Sequence, residues 1–273
     1  MKDGLREEQI MHKIEHIMQL DIDYIKSFSE METFNEGVFF YNKEMPTYYD
    51  ANHAHIWRKI PEPDMVLKKI KGFYQSKSLI PRLYLYNVEE NQSCIEALEN
   101  HGFQYESFTD DVQCWNGEYA QLPHNPAIQI ERVTDANREE ALAVEMSIAT
   151  FGEPALIEKA FEQTYHSQHF TYYLLRVDGK ACCTANIFVS GHQGRVESVA
   201  TIESYRGRGL IGYILQHIQQ ESVKQGIEYL WILPINEQVA KVYDKANFKT
   251  IGKLKSIHAF TEGKSIHQIR QDA

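Results

Sequence analysis

This sequence predicts a mixed α/β fold in two domains, and three observations carry that prediction. The 273 residues are 43% hydrophobic and 12% aromatic, enough to build real cores at a length that suits two domains of ordinary size. Apolar residues recur at helical spacing in some stretches and alternate as in strands in others. Near the middle, "QLPHNPA", with Pro123 and Pro126, breaks any regular element, so the boundary is placed there, with domains over 1–122 and 128–273.

In chain order, Ile10, Ile14, Ile17, Met18, Ile25 and Phe28 predict a long amphipathic helix from Arg6 to Phe28. "GVFFYN" reads as a strand, "EPDMVLKKIKGFYQ" as a helix opened by Pro63, "RLYLYN" as a strand and "QSCIEALENHG" as a helix closed by Gly102. After the linker come strand "IQIERV", helices "REEALAVEMSIATF" and "PALIEKAFEQTYH", and strand "TYYLLRV". That strand turns at Asp178-Gly179 into strand "ACCTANIFV". Strand "VESVATI" leads to a helix ending at Gln225 and Gly226, then strand "YLWIL" and helix "EQVAKVYDKA". The last pattern reads as a hairpin of "TIGKLKSIHAF" and "KSIHQIR" around Thr261 to Gly263.

A formal charge of -10 gives no broad attraction to phosphate backbones, which argues against a nucleic-acid partner and leaves a cationic one open. The four cysteines, Cys94, Cys114, Cys182 and Cys183, show no CxxC pairing and read as reduced thiols. The charged, amphipathic start has no secretory apolar core, and no stretch approaches the ~20 apolar residues of a membrane span. A soluble, cytoplasmic protein with no membrane partner is expected.

The stretch "TIESYRGRGLIGYIL", Thr201 to Leu215, carries the chemistry. A glycine-rich turn between a strand and a helix exposes consecutive N–H groups at the positive end of the helix dipole, which suits a phosphate. Arg206 and Arg208 add charge, and Leu210, Ile211, Ile214, Leu215 and Ile218 form a stripe to anchor the helix. The P-loop pattern is absent. Gly207, Gly209 and Gly212 fit GxGxxG by spacing, but antiparallel hairpins precede them where the dinucleotide fingerprint needs a parallel βαβ start.

"YRGRGLIG" resembles the pyrophosphate loop of the GNAT acetyltransferase superfamily, [Q/R]-x-x-G-x-[G/A]. Arg206 and Gly209 match, Ile211 stands where the last small residue belongs, and glycine follows one place late at Gly212. "NEQVAKVYDKANF" is similar to the family's N-x-x-A-x-x-x-Y-x-x-x-G-F helix, with Asn236, Tyr243 and Phe248 in register. Val239 and Asn247 depart from it, and Asn tolerates a left-handed backbone better than most residues. The resemblance implies a mixed, mostly antiparallel sheet flanked by helices and a GNAT domain over 128–273. "NQSCIEALENHGF", Asn91 to Phe103, has the same length from Asn to Phe, with Leu98 where the second half has Tyr243. Upstream, "HIWRKIPEPD" has two prolines and no glycine. The first half is accordingly expected to be a degenerate tandem copy that has lost the cofactor loop, or an accessory domain.

What the resemblance implies chemically is acetyl transfer from acetyl-CoA to an amine by direct attack on the thioester. Main-chain N–H groups of Gly207, Arg208, Gly209, Leu210, Ile211 and Gly212 would hold the pyrophosphate, and Arg206 would fix the loop or contact phosphate. Val199 and Thr201 would pair through their backbone with the pantetheine arm. Tyr243 would be the acid for the leaving thiolate, against the plainer reading of a packed core tyrosine. Asn236 fits both a coenzyme contact and a helix N-cap. Glu197 alternates with Val199 and Thr201, shares their face on that reading, and is the nearest carboxylate for a base. His53 and His55 in "HAH" lack a third ligand, so no metal is expected. Trp115, Tyr119, Tyr172 and Tyr173 could line an acceptor pocket, with core packing the default. The acceptor is expected to be a small-molecule or peptide amine; aminoglycoside, polyamine, amino acid and protein amino terminus stay open, and a homodimer is allowed. The rival reading is a non-catalytic acyl-CoA-binding or protein-interaction module on the same fold.

Overall fold

A computed structural model describes residues 15–271. Helix α1 covers 15–26; the rest of the expected first helix, residues 6–14, lies outside the described residues. There follow β1 (Glu30–Phe34), β2 (Gly37–Tyr41), β3 (His53–Ile56), α2 (Pro63–Ser76), β4 (Arg82–Leu85), α3 (Gln92–Ala97) and β5 (Gln104–Trp115). The second half contains β6 (Ile128–Arg132), α4 (Arg138–Met146), α5 (Pro154–Tyr165), β7 (Phe170–Val177), β8 (Lys180–Ser190), β9 (Gln193–Thr201), α6 (Leu210–Lys224), β10 (Tyr229–Ile232), α7 (Glu237–Lys245), β11 (Phe248–Phe260) and α8 (Ile266–Gln271). The class is mixed α/β with mostly antiparallel strand pairing, as expected.

The chain divides into two compact units, and the division does not fall at the proline linker. One comprises the described residues up to Tyr24 with Asp110–Lys253; the other is Ile25–Thr109 with the residues from Leu254 onward. The linker itself belongs to the first of these and lies on the surface of α6. Tyr213 Oη donates to the Pro123 carbonyl at 2.9 Å, Gln216 Nε2 donates to Ala120 O at 2.7 Å, and a Cβ on Gly212 would lie 3.5 Å from Leu122. Proline broke the secondary structure there without freeing the segment.

In the Asp110–Lys253 unit, β6, β7, β8 and β9 pair antiparallel in sequence order, and the tight β7–β8 turn has Asp178 and Gly179 both at positive φ, 50° and 78°. Those two left-handed residues are what a two-residue hairpin of matching twist requires. β10 then returns parallel to β9, with Tyr229 opposite Gln193 and Ile232 opposite Val196, and pairs antiparallel with β5 on its other side. Leu210, Ile214, Leu215 and Ile218 of α6 pack with Tyr243 of α7 on the face holding Tyr173, Cys183, Ile187 and Val196. Helices α4 and α5 lie on the opposite face, where Phe161 packs 4.7 Å from Tyr172. The aromatic quartet therefore does not gather. Tyr172 and Tyr173 are buried on opposite faces of β7, while Trp115 and Tyr119 pair 5.3 Å apart at the end of β5.

The other unit repeats part of this plan. β3 and β4 are parallel and joined through α2, as β9 and β10 are through α6, and a second helix and strand follow in each case. Each second helix ends in a left-handed residue before a buried phenylalanine: Gly102 (φ 75°) before Phe103, and Asn247 (φ 64°) before Phe248. In this unit β4 pairs antiparallel with the Ile257–Phe260 end of β11. The slot beside each second parallel strand is thus filled by a strand that begins in the opposite half of the sequence.

One predicted element changes type. "KSIHQIR" is helical, not the second strand of a hairpin: Ser265 N–H donates to Gln268 Oε1 and Gln268 N–H to Ser265 Oγ, a reciprocal capping box, and Glu106 accepts from the N–H groups of Ile266 and His267. β11 instead runs as one strand of 13 residues. β1, β3 and β5 were not anticipated, and helix α4 stops at Met146, short of the predicted end. The "HAH" histidines lie on β3, His53 2% and His55 0% exposed, packed edge-on and tilted against Tyr84 and Tyr86. Among the described residues no group of three His, Cys, Asp or Glu is placed to hold a metal, and no helix is long and apolar enough to cross a membrane.

Candidate functional site

The site grows from the way β9 and β10 part. Their parallel pairing ends at Val196 and Ile232, and β9 continues to Thr201 without β10. At the parting, Ser198 takes φ 49° and the β8–β9 register shifts: Asn186 lies opposite Glu197, but Thr184 lies opposite Ala200. The extra residue is a β-bulge, and it reverses the face of everything beyond it. Glu197 consequently shares its face with Ala200, while Val196 and Thr201 share the other, opposite Ile187 and Cys183. The expectation that Glu197 faces with Val199 and Thr201 is corrected by this bulge, which no local sequence pattern announced.

The glycine turn follows. Thr201 is buried, its Oγ1 directed to Cys183 Sγ at 3.3 Å, and Val199 packs half-buried against the core under α6. Arg206 Nε donates to the Thr201 carbonyl at 3.1 Å, tying the turn back to β9, and Arg208 donates to Ser204 O at 3.0 Å while lying over the Tyr205 ring. Gly207 and Gly209 take φ 76° and 72°, and a Cβ on either would meet nothing within 4 Å. Gly209 is also the N-cap of α6 and brings no side chain to occupy the helix's first N–H groups. Residues Arg206 to Gly209 are exposed. Within the described residues no side chain plugs the turn. The Gly212 amide differs from the others, since it already donates to Gly209 O at 3.0 Å.

Across the gap, Asn236 caps α7 by accepting from Val239 N–H at 2.9 Å. One face turn on, Tyr243 is 7% exposed, and burial, then Glu197, then Cys183 push its phenol well above the ordinary tyrosine range. It is a protonated donor at any physiological pH, and no hydrogen bond among the described residues holds its hydroxyl. Glu197 itself is bound to Arg195, which also takes Asp21 of α1 and lies 4.2 Å over the Tyr24 ring. Burial pushes the Glu197 carboxyl up against the pull of Arg195, and the pairing engages one of its two oxygens, Oε1. A separate polar groove is lined by Arg132, Tyr173, His217 and Glu221; of the predicted residues Tyr173 is there, and the coenzyme-loop and catalytic candidates are not.

In the other unit the equivalent of the glycine turn is filled. Ile60 is 2% exposed, and its N–H donates to Asn91 Oδ1 at 2.7 Å. Asn91, aligned with Asn236, accepts from Ile60 and donates through Nδ2 to the Arg58 and Asn87 carbonyls, so its side chain ties down this loop and does not cap a helix.

The model of the acetyltransferase (GNAT) family matches residues 138–248. No curated protein matches the sequence. Similar solved structures include a conserved protein of unknown function from Staphylococcus epidermidis, 14% identical, TM-score 0.69, covering 86% of this chain and 95% of that one. A GCN5-related N-acetyltransferase from Kribbella flavida is 16% identical, TM-score 0.68, covering 93% and 97%. Another from Sphaerobacter thermophilus is 13% identical, TM-score 0.59, covering 78% and 74%. At these identities the likeness is one of fold, and it extends over both halves of the chain. From α4 to the start of β11, residues 138–248, the chain carries a domain of the acetyltransferase (GNAT) family.

Proposed function

We propose that the protein transfers an acetyl group from acetyl-CoA to an amine. The observation that carries this reading is the exposed, left-handed Gly207–Gly209 turn at an uncapped helix start, beside two parallel strands that separate. Amides of Gly207 to Ile211 suit the pyrophosphate, with the helix dipole behind them. The unpaired edge of β9 around Val199 suits an extended amide-bearing arm, whose reacting carbonyl would lie toward Tyr243.

An alkyl amine with a pKa near 10.4 must lose a proton before it attacks the thioester carbon, and the C–S bond then breaks to leave a thiolate. The Tyr243 hydroxyl, strongly protonated and held by no acceptor among the described residues, suits donation to that sulfur. Glu197 is a weaker candidate for base than the sequence suggested, because Arg195 engages it. In the N-terminal half, Ile60 fills the corresponding turn, which supports reading that half as a copy without coenzyme.

Titration with coenzyme A, NAD and ATP in separate thermal scans tests the donor. Coenzyme A alone should raise the melting temperature, since a ligand of the folded state stabilises by ~2.7 kcal/mol at a hundredfold excess over Kd. Absence of calorimetric heat with coenzyme A would end the proposal, and a thiol-release screen of amines with acetyl-CoA identifies the acceptor.

A further inference from the structure

On the sheet face away from α6 and α7, three oxygens are buried without a hydrogen-bond partner: Thr184 Oγ1, Asn186 Oδ1 and Glu145 Oε1. Thr184 and Asn186 are alternate residues of β8, 0% and 1% exposed, and so point to one side. Asn186 lies between Tyr172 on β7 and Glu197 on β9. Glu145, 4% exposed, comes down on this face from α4, which packs on β8 and β9, near enough to Tyr172 that its carboxylate would raise the phenol further.

Each unmet buried polar group costs ~1–3 kcal/mol, so three on one face of the sheet, where α4 packs on β8, need a reason. Their neighbours do not share the deficit. Tyr172 Oη and Thr164 Oγ1 are 2.6 Å apart, and Arg195 serves both Glu197 and Asp21. What is missing is local and of one kind, because a hydroxyl, an amide oxygen and a carboxyl oxygen can all accept. A group with three donors and no acceptor answers that need, and a primary ammonium is that group; a guanidinium offers a planar fork, and a quaternary ammonium offers no donor.

Resting on the acetyl-transfer reading, we infer that Glu145, Thr184 and Asn186 form a subsite for a primary ammonium group of the acceptor, a second amine beside the one acetylated. Such an acceptor is a diamine or polyamine. Asn186 lies opposite Glu197, one residue past the point where β9 and β10 part, which sets the subsite beside the proposed reacting centre and not on it. Met146 and Phe151, each 36% exposed just after Glu145, offer apolar surface to an alkyl chain. Burial pushes the Glu145 carboxyl up to about 8, so it is mostly protonated at neutral pH. The titratable and charged groups on this face are Tyr172 and Glu197, on either side of Asn186, with Arg195 bound to Glu197 and Asp21. An arriving ammonium favours the carboxylate, and the displaced proton goes to the buffer.

The test is calorimetric titration of n-butylammonium at pH 7 in two buffers of different ionisation enthalpy, with coenzyme A titrated in parallel. Binding with release of close to one proton is expected. Glu145→Gln should abolish the release and weaken n-butylammonium at least tenfold, and Thr184→Val, a milder change to the fold, should weaken it severalfold. Coenzyme A should bind both variants as it binds the parent. No n-butylammonium binding by protein that binds coenzyme A overturns the subsite and spares the acetyl-transfer reading. Binding without proton release, unaffected by both variants, overturns it as well. If coenzyme A does not bind, the transfer reading falls and the ammonium titration alone decides the subsite.

Discussion

Replacing Tyr243 by Phe separates a phenol that works from one that only packs. The ring is 7% exposed in the core formed with Cys183, Val196, Leu210 and Phe248, so its apolar part must stay, and Phe keeps it. The hydroxyl has no protein partner among the described residues. Removing it therefore forfeits no hydrogen bond to a described residue, and the hydroxyl is not among the fully buried polar atoms left without a partner, so its loss neither breaks a bond nor relieves an unmet one. Stability should stay within about 1 kcal/mol of the parent's, read as the urea midpoint at constant m. If the hydroxyl protonates the leaving thiolate, turnover should fall roughly a hundredfold or more, the span of general-acid contributions, which corresponds to about 2.7 kcal/mol of barrier. The assay is thiol release with the acceptor found by amine screening, alongside calorimetry showing unchanged coenzyme A binding. Unchanged turnover would refute the acid role, and a fall in stability with lost turnover would show that the hydroxyl holds the fold instead.

The remaining expectations concern backbone and charge. Gly209→Ala must place a Cβ at φ 72° in open space, so its cost is conformational, ~1–2 kcal/mol, with weakened coenzyme A binding; Gly72→Ala inside α2, with ordinary φ and no neighbour within 4 Å, should gain ~1 kcal/mol in the same denaturation assay. Equal signs for the two would discredit the left-handed turn. Burial alone would raise the Glu106 carboxyl, but His258 and the amides of His267 and Ile266 outweigh it and hold the group down to about 2. Since its folded pKa is depressed, the stabilisation is present above the unfolded value near 4.3 and is lost as pH falls toward 2. Glu106→Gln should lower stability at pH 7 and flatten the acid limb of a denaturation series between pH 4.5 and 2; an unaltered limb would count against the capping contact.

Much of the second half was legible because its signals are local. The Leu210–Ile218 stripe, the Asp178-Gly179 turn and the N-cap at Asn236 each depend on residues within a few positions of one another, and each is found where spacing put it. Asn247 at φ 64° follows from the tolerance of asparagine for that backbone. The Ser198 bulge was not legible, since "VESVA" alternates cleanly and only pairing with β8 shows the extra residue. The Ser265–Gln268 capping box could have been read and was overridden by apolar alternation in "KSIHQIR". Glu145 carries no signal at all, being one more acidic residue in a charged helix until α4 is laid over Thr184 and Asn186.

The two halves make a controlled comparison of what a coenzyme turn requires beyond fold. Both run strand, helix, parallel strand, helix, strand, and both end the second helix with a left-handed residue before a buried phenylalanine. They differ where the first strand meets its helix. At Gly207–Gly209 two positive-φ residues lift the backbone clear of side chains and leave the α6 start uncapped by any side chain. At 57–62 the path has no glycine, Pro63 removes an N–H from the first turn of α2, and Ile60 turns inward with its amide committed to Asn91. Packing an aliphatic side chain and bonding its amide stabilise that loop by the same two contacts that deny a phosphate its donors. Restoring a binding turn there would take the loss of the Ile60 anchor and the release of Asn91 together, so single substitutions at either residue should only destabilise the unit and confer no affinity for coenzyme A.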